Sequence, residues 1–121
     1  MTKQGELGQL GEDVAARYLK RQNYQILERN CRKKWGEIDI VAVASDHTLV
    51  FVEVKTVSGT NPSIRGEDQM TVSKMNNFRR TAEMYANEHN ELLTGRRMWR
   101  LDLIAIEVQG GTATIRHYSN I

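Results

Sequence analysis

The 121-residue chain has one cysteine, one proline and three histidines, and its 17 Lys and Arg against 15 Asp and Glu leave a net charge of only +2. With Cys31 alone, an internal disulfide and a cysteine-based zinc site are both excluded. His47, His89 and His117 are scattered and lack partners at ligand spacing, so they read as ordinary turn, helix and strand residues. No apolar run approaches the roughly 18 residues that a membrane-spanning helix needs. The polar, glycine-rich stretch from Met1 to Gln9 is unlike a signal peptide. These absences lead to the expectation of a cytoplasmic chain with no membrane partner. The length suits a single domain, residues 1–121, with a core of its own.

The small net charge hides an uneven distribution. Basic residues clump at Arg17, Lys20 and Arg21; at Arg29, Arg32, Lys33 and Lys34; at Arg79 and Arg80; and at Arg96, Arg97 and Arg100. Such patches can hold a polyanion while acidic residues elsewhere lower the total. The plainer alternative is a set of solvated faces.

The segment from Trp35 to Thr56, WGEIDIVAVASDHTLVFVEVKT, reads as two apolar strands joined by a polar turn, with Glu37, Asp39, Glu53 and Lys55 set into them. Side chains alternate along a strand, so Glu37, Asp39, Val41 and Val43 are expected on one face, and Leu49, Phe51, Glu53 and Lys55 on one face of the next strand. A three-residue turn, Ser45-Asp46-His47, places both sets on the same side, with Val43 opposite Leu49, Val41 opposite Phe51, Asp39 opposite Glu53 and Glu37 opposite Lys55. A one-residue slip would set charges against Val50, Val52 and Val54. The favoured register therefore opposes two carboxylates. At about 5 Å and an effective dielectric of about 20 their repulsion is roughly 3 kcal/mol. A proton, Lys55 or a bound cation must relieve it.

The remaining chain supplies the frame. Gly5 to Arg21 has helical spacing, with an apolar stripe of Leu7, Leu10, Val14, Tyr18 and Leu19 beside Gly11 and Ala15, and Glu12 at its edge, aimed past the core toward the sheet. Gly5, Gly8 and Gly11 each cost about 1 kcal/mol against Ala in a helix, which implies a close backbone approach or a later helix start. Tyr24 to Glu28 reads as a short strand after Asn23, and Arg29 to Lys34 as a basic connector. Val57 to Met70, with Pro62, reads as a flap over a substrate. Thr71 to Asn90 is a second helix, with Met75, Phe78, Ala82, Tyr85, Ala86 and His89 on its core stripe. Trp99 to Val108 and Thr112 to Tyr118 are strands joined by Gly110-Gly111. The order is α-β-β-β-α-β-β, an α/β fold with a mixed sheet of about five strands, two main helices, and a helical crossover joining two parallel strands.

Asp39 and Glu53 offer hard oxygen ligands suited to Mg2+ or Mn2+, with Lys55 within reach of the same space and Glu12 as a further ligand. This set suits phosphodiester hydrolysis, with Lys55 orienting water or neutralising developing charge. Alternatives remain for several residues. Glu37 and Lys55 could form a plain cross-strand salt bridge, Asp102 could join the site or pair with Arg100, and Trp35 and Trp99 read as packing residues rather than base-stacking platforms.

A bare Glu-x-Lys is unspecific, but an acidic residue on an N-terminal helix, GEID in one strand and EVK in the next form a specific combination. It resembles the restriction-endonuclease-like superfamily with its PD-(D/E)xK motif. GxxGE at Gly8 to Glu12, AARYL at Ala15 to Leu19, YQILERNCR at Tyr24 to Arg32, GEIDIVA at Gly36 to Ala42 and LVFVEVKT at Leu49 to Thr56 are similar to the YraN-like bacterial family, itself similar to Holliday junction resolvases. Ile38 stands where the motif has proline. The resemblance implies a restriction-endonuclease-like fold and a metal-dependent nuclease with Glu12, Asp39, Glu53 and Lys55 as its catalytic set, the three carboxylates being the metal ligands. It points to nucleic acid, DNA rather than RNA, including branched or structured DNA. Arg32, Lys33, Lys34, Lys74 and Arg79 are candidate nucleic-acid contacts, and Gln69 matches loosely. Cutting two strands calls for two active sites, hence a homodimer. The rival reading is a nucleic-acid-binding accessory module that keeps the fold without catalysis.

Overall fold

Strands rich in Ile and Val, bounded by short polar turns, assemble into one five-stranded sheet in the order β1-β2-β3-β4-β5. The computed structural model describes residues 3–58, 70–93 and 98–121. Its elements are α1 (Lys3–Arg21), β1 (Gln25–Lys33), β2 (Gly36–Val43), β3 (Leu49–Ser58), α2 (Val72–Glu88), a short 3-10 helix (Asn90–Leu93), β4 (Trp99–Gln109) and β5 (Thr112–Tyr118). The expected α-β-β-β-α-β-β order and mixed sheet are both present. β3 and β4 run parallel, from Leu49 against Trp99 to Ser58 against Val108, and the other neighbours are antiparallel.

The alternation along β3 explains the layering. Leu49 and Phe51 face one side with Val41, Val43 and Leu101, where α2 covers them with Phe78, Ala82, Tyr85 and Ala86. Val50, Val52 and Val54 face the other side with Ile40, Ala42, Ile104 and Ile106, where α1 lays down Ala15, Ala16 and Leu19. Phe51 is wholly buried, its ring met edge-on by Tyr85 at 5.5 Å and by Trp99 at 5.7 Å between centroids. Each fully buried aliphatic or aromatic side chain contributes about 1.5–3 kcal/mol, so the two apolar layers outweigh a single repulsion of about 3 kcal/mol among the carboxylates.

Turns follow the local chemistry. The β2–β3 turn is the expected three-residue loop: His47 donates its amide to the Ala44 carbonyl, Ala44 donates to the Thr48 carbonyl, and His47 takes the left-handed backbone (φ 71°) that closes such loops. Asn23, also left-handed (φ 67°), ends α1. Gly110 and Gly111 both have positive φ in a two-residue hairpin, with Gln109 paired to Thr112.

Several expectations need correction. Arg29 to Lys34 is not a connector, because β1 continues to Lys33 and pairs with β2 along its length, with a bulge between Ile26 and Glu28. Pairing to a neighbouring strand overrides the weak strand preference of Arg, Asn and Lys. Leu10, expected on the buried stripe of α1, is 43% exposed, and Ala16, not expected there, is buried. α2 ends at Glu88, short of Asn90, with His89 as its cap, and it begins after Thr71, whose hydroxyl accepts from the Lys74 amide. β3 extends through Val57 and Ser58. Residues 59–69 of the proposed flap, Gln69 among them, lie outside the described residues, as do Arg96 and Arg97. Among the described residues, no helix is long and apolar enough to cross a membrane.

Of the α1 glycines, Gly11 carries the close approach: a Cβ there would lie 1.7 Å from Thr56 Oγ1 and 2.8 Å from Thr56 Cβ, whereas one at Gly8 would meet nothing within 4 Å. Gly11→Ala should therefore cost about 1–3 kcal/mol, the range of overpacked cores. Adding Thr56→Ala should recover part of the loss in chemical denaturation. Full stability in the single variant would mean that α1 and β3 are not held this closely.

Candidate active site at the fork of the sheet

β2 and β3 are paired from Val43 and Leu49 only as far as Ile40 and Val52. Beyond that point the strands part. β3 stays straight because β4 pairs with it through Ser58, so Glu53 and Lys55 project from a fixed strand into the gap. The Val54 amide faces no β2 carbonyl. Instead it donates to Asp39 Oδ2 at 2.8 Å. Asp39 and Glu53 are thus neighbours across a fork and not a ladder pair, which corrects the register expected beyond Ile40.

The face assignment of Asp39 also differs from a regular strand. Ile38 packs on the α2 side and Ile40 on the α1 side, so the period of two breaks at Asp39. Its neighbour in β1 is Asn30, whose φ of 54° is left-handed, and the β1–β2 pairing passes from Arg29–Ile40 to Cys31–Ile38 without an Asn30–Asp39 pair. Two clefts meet at the fork in consequence. One, of about 340 Å³ and roofed by α2, is bordered by Trp35, Glu37, Lys74, Asn77 and Thr81; the other, of about 470 Å³ under the start of α1, is bordered by Leu7, Gly8, Glu12 and Thr56. Asp39, Glu53 and Lys55 border both.

Electrostatics at the fork are strained. Burial, and then the charge of Glu53, push the Asp39 carboxyl up to about 7, against the relief given by the Val54 amide. Glu53 is raised by burial, and Lys55, with Nζ 3.1 Å from Glu53 Oε1, lowers it in part. Lys55 therefore pairs with Glu53 and not with Glu37, which lies 3.5 Å from Arg32 Nε. Glu12 is raised by burial, partly offset by Arg29, whose Nη2 is 4.0 Å from Glu12 Oε1 and 2.9 Å from Asp13 Oδ1. With its amide turned to face the carboxylates, Asn30 donates to Glu12 Oε1 at 2.7 Å and to Glu37 Oε1 at 3.1 Å.

Glu12, Asp39, Glu53 and Lys55 are thus brought to one place from α1, β2 and β3. The three carboxylates are oxygen donors only, a set suited to magnesium or manganese. Among the described residues, no three acidic, His or Cys side chains converge as a ready cage. Of the other candidates, Lys74 borders the α2-side cleft and Arg79 is exposed on α2. Lys33 is engaged by Glu88 at 2.6 Å. Asp102, beside Val52 on β4, borders neither cleft and is fully buried, accepting from Arg100 Nε at 3.0 Å and the Asn120 amide at 3.0 Å, with His117 Nε2 at 2.7 Å. Sequence reasoning missed Asn30 and Asn77; an asparagine inside a strand, where it is depleted, was the available signal for the first. Trp99 is a packing residue as expected, whereas Trp35 is 40% exposed at the mouth of a cleft.

Comparison with known sequences gives the same grouping as the motifs. The sequence model of a family described as "Uncharacterised protein family UPF0102" matches residues 11–106, and the chain belongs to that family. The UPF0102 protein of Syntrophomonas wolfei is 36% identical over 115 residues, covering 95% of this chain and 96% of that protein. The UPF0102 protein of Syntrophotalea carbinolica is 38% identical over 112 residues, covering 93% and 87% respectively.

The raised Asp39 carboxyl has a consequence for stability. Between the ordinary carboxylate pKa and about 7, the folded chain holds a proton that the unfolded chain has released, so folding weakens as pH rises through that window. Asp39→Asn keeps an acceptor for the Val54 amide and removes the charge. In EDTA at pH 8 it should be more stable than the parent by about 1–2 kcal/mol, roughly 5 °C or more in Tm, and the gap should close toward pH 5. A gap independent of pH would show that Asp39 is not the titrating group.

Proposed function

We propose that this UPF0102 chain is a divalent-metal-dependent nuclease that hydrolyses phosphodiester bonds in DNA, with branched or structured DNA the class to which its resemblance to junction resolvases points. The observation that carries this reading is the convergence of Asp39, Glu53 and Lys55 at the fork, with Glu12 facing the same cleft. A module that only binds nucleic acid has no use for carboxylates held close enough for Glu53 to raise the pKa of Asp39.

In this reading Asp39 and Glu53 hold magnesium or manganese, and Glu12 adds a third oxygen donor directly or through water. The bound cation supplies polarisation of the phosphate and a water acidic enough to attack near neutral pH. The Val54 amide fixes the orientation of the Asp39 carboxylate. Lys55, held beside Glu53, partly offsets the effect of burial on that carboxyl and places a positive charge where the phosphorane becomes more negative. Since one such site makes one cut, scission of both strands requires two copies of the chain.

Manganese titration calorimetry should give a site in the parent and none in Asp39→Ala. Because a proton on Asp39 competes with the ion, affinity should fall by up to about tenfold per pH unit below 7. Equal binding by parent and variant sinks the metal assignment. Against single-stranded, duplex, flap and four-way junction DNA, Lys55→Ala should lower the cleavage rate by about 10²-fold or more. Cleavage that survives the substitution means that Lys55 is not in the reacting centre.

A further inference from the structure

The α2-side cleft is bordered by the part-buried Asp39, Glu53 and Lys55 and by the exposed Lys74 and Trp35. Trp35 sits in the two-residue turn between Lys33 and Gly36, the last pair of the β1–β2 ladder. It is 40% exposed, so the core does not explain it. Two cations hold the indole at the surface: Arg80 Cζ lies 4.3 Å and Lys34 Nζ 5.1 Å from the ring centroid.

The basic residues around this lip fall into two groups. Arg32 is close to Glu37, Lys33 is paired with Glu88, and Arg29 with Asp13. Among the described residues, Lys34 and Arg80 have no carboxylate at ion-pair distance. They surround an exposed aromatic ring at the open end of a cleft whose inner end holds the carboxylates and Lys55. Uncommitted cations interleaved with an exposed aromatic ring, at the end of a groove, are the elements with which proteins grip single strands: cations on phosphates, the ring against a base.

We propose that this lip is a strand-docking subsite, in which Trp35 stacks on an unpaired base while Lys34, Arg80 and Lys74 take flanking phosphates, setting the neighbouring phosphodiester at the fork. The inference rests on the nuclease reading of the fork and narrows its substrate. Inside a duplex each base has both faces covered by its neighbours, so the indole reaches a base only where the stack is open, as in a single strand, a flap or a branch point. Trp35 is here a positioning residue and not a catalytic one.

Binding in EDTA tests the lip without cleavage. In a Trp99→Phe background Trp35 is the one remaining indole, and a single-stranded 12-nucleotide DNA should quench its fluorescence while a blunt duplex of the same sequence should not. In the otherwise native chain, Trp35→Ala should bind the single strand about tenfold more weakly and Trp35→Phe nearly as well as the parent. Arg80→Ala and Lys34→Ala should each reduce the slope of log affinity against log salt by about 0.7, which decides the matter if Trp35→Ala does not fold. Absence of single-strand binding, binding without quenching, or equal quenching by the duplex overturns the proposal. Failure of the nuclease reading is distinct: it shows as no cleavage with magnesium or manganese while the quench persists, which leaves the lip as a binding site. An active nuclease without the quench removes the lip alone.

Discussion

The hydrogen bond from the Val54 amide to Asp39 Oδ2 is the contact on which the rest of the site depends. A strand that leaves its neighbour exposes amides whose desolvation, if unpaired, costs about 1–3 kcal/mol each. Here a side chain substitutes for the missing carbonyl. The substitution lets β2 part from β3 after Ile40 while β3 remains fully paired with β4 on its other edge, giving a gap with one rigid wall. It also fixes where the Asp39 carboxylate lies, next to Glu53 and half out of water. The site and the interruption of the sheet are therefore the same feature, and the raised pKa of Asp39 is its electrostatic cost.

A comparison within the molecule shows that burial alone does not produce this state. Asp102 is less accessible to solvent than Asp39, and burial pushes its pKa up as well. Hydrogen bonds from His117, Arg100 and the Asn120 amide outweigh that and hold it below the ordinary value. The network continues from Arg100 Nη2 to Tyr24 OH at 2.9 Å and from His117 Nδ1 to Tyr18 OH at 2.9 Å, tying β4 and β5 to the end of α1. Every acceptor site of Asp102 is used and its charge is compensated, which describes a structural ion pair. Asp39 has one backbone donor and a carboxylate for a neighbour. A buried acid left undercompensated, with a second acid beside it, is what a cation or a proton in transit requires.

How far the sequence could be read depended on whether local pattern or tertiary pairing decided each element. The hairpin turn and the register from Val43–Leu49 to Val41–Phe51 followed from alternation and loop length alone, because both strands there bury one residue in two on each face. The wheel position of Glu12 placed it at the fork because α1 is regular. Alternation failed from Asp39 outward, where a side chain enters the backbone hydrogen bonding and Asn30 turns left-handed opposite it. Neither event has a periodic signature. β1 was misjudged beyond Glu28 for a related reason: its ERNCRK sequence has little strand preference, and it is held by pairing with β2 and by ties of its side chains to Asp13, Glu37 and Glu88.

Those same ties explain why charge counting along the sequence misled. The Arg29–Lys34 clump reads as one basic patch, yet three of its cations are drawn off to carboxylates on α1, β2 and α2, and one, Lys34, remains beside Trp35. What distinguishes a cation free for a polyanion from one that holds the fold is the presence of a carboxylate beside it in the folded chain, and only the folded structure supplies that. The pairing removes charge from the edge of the sheet and leaves it at the mouth of the α2-side cleft. The polarity of the cleft follows: carboxylates within and, at its mouth, cations with no carboxylate partner among the described residues. If the fork is the nuclease site proposed above, an anionic strand would be attracted at the lip and repelled at the fork until Asp39 and Glu53 held a cation, so that binding at the fork would depend on the cation while binding at the lip would not.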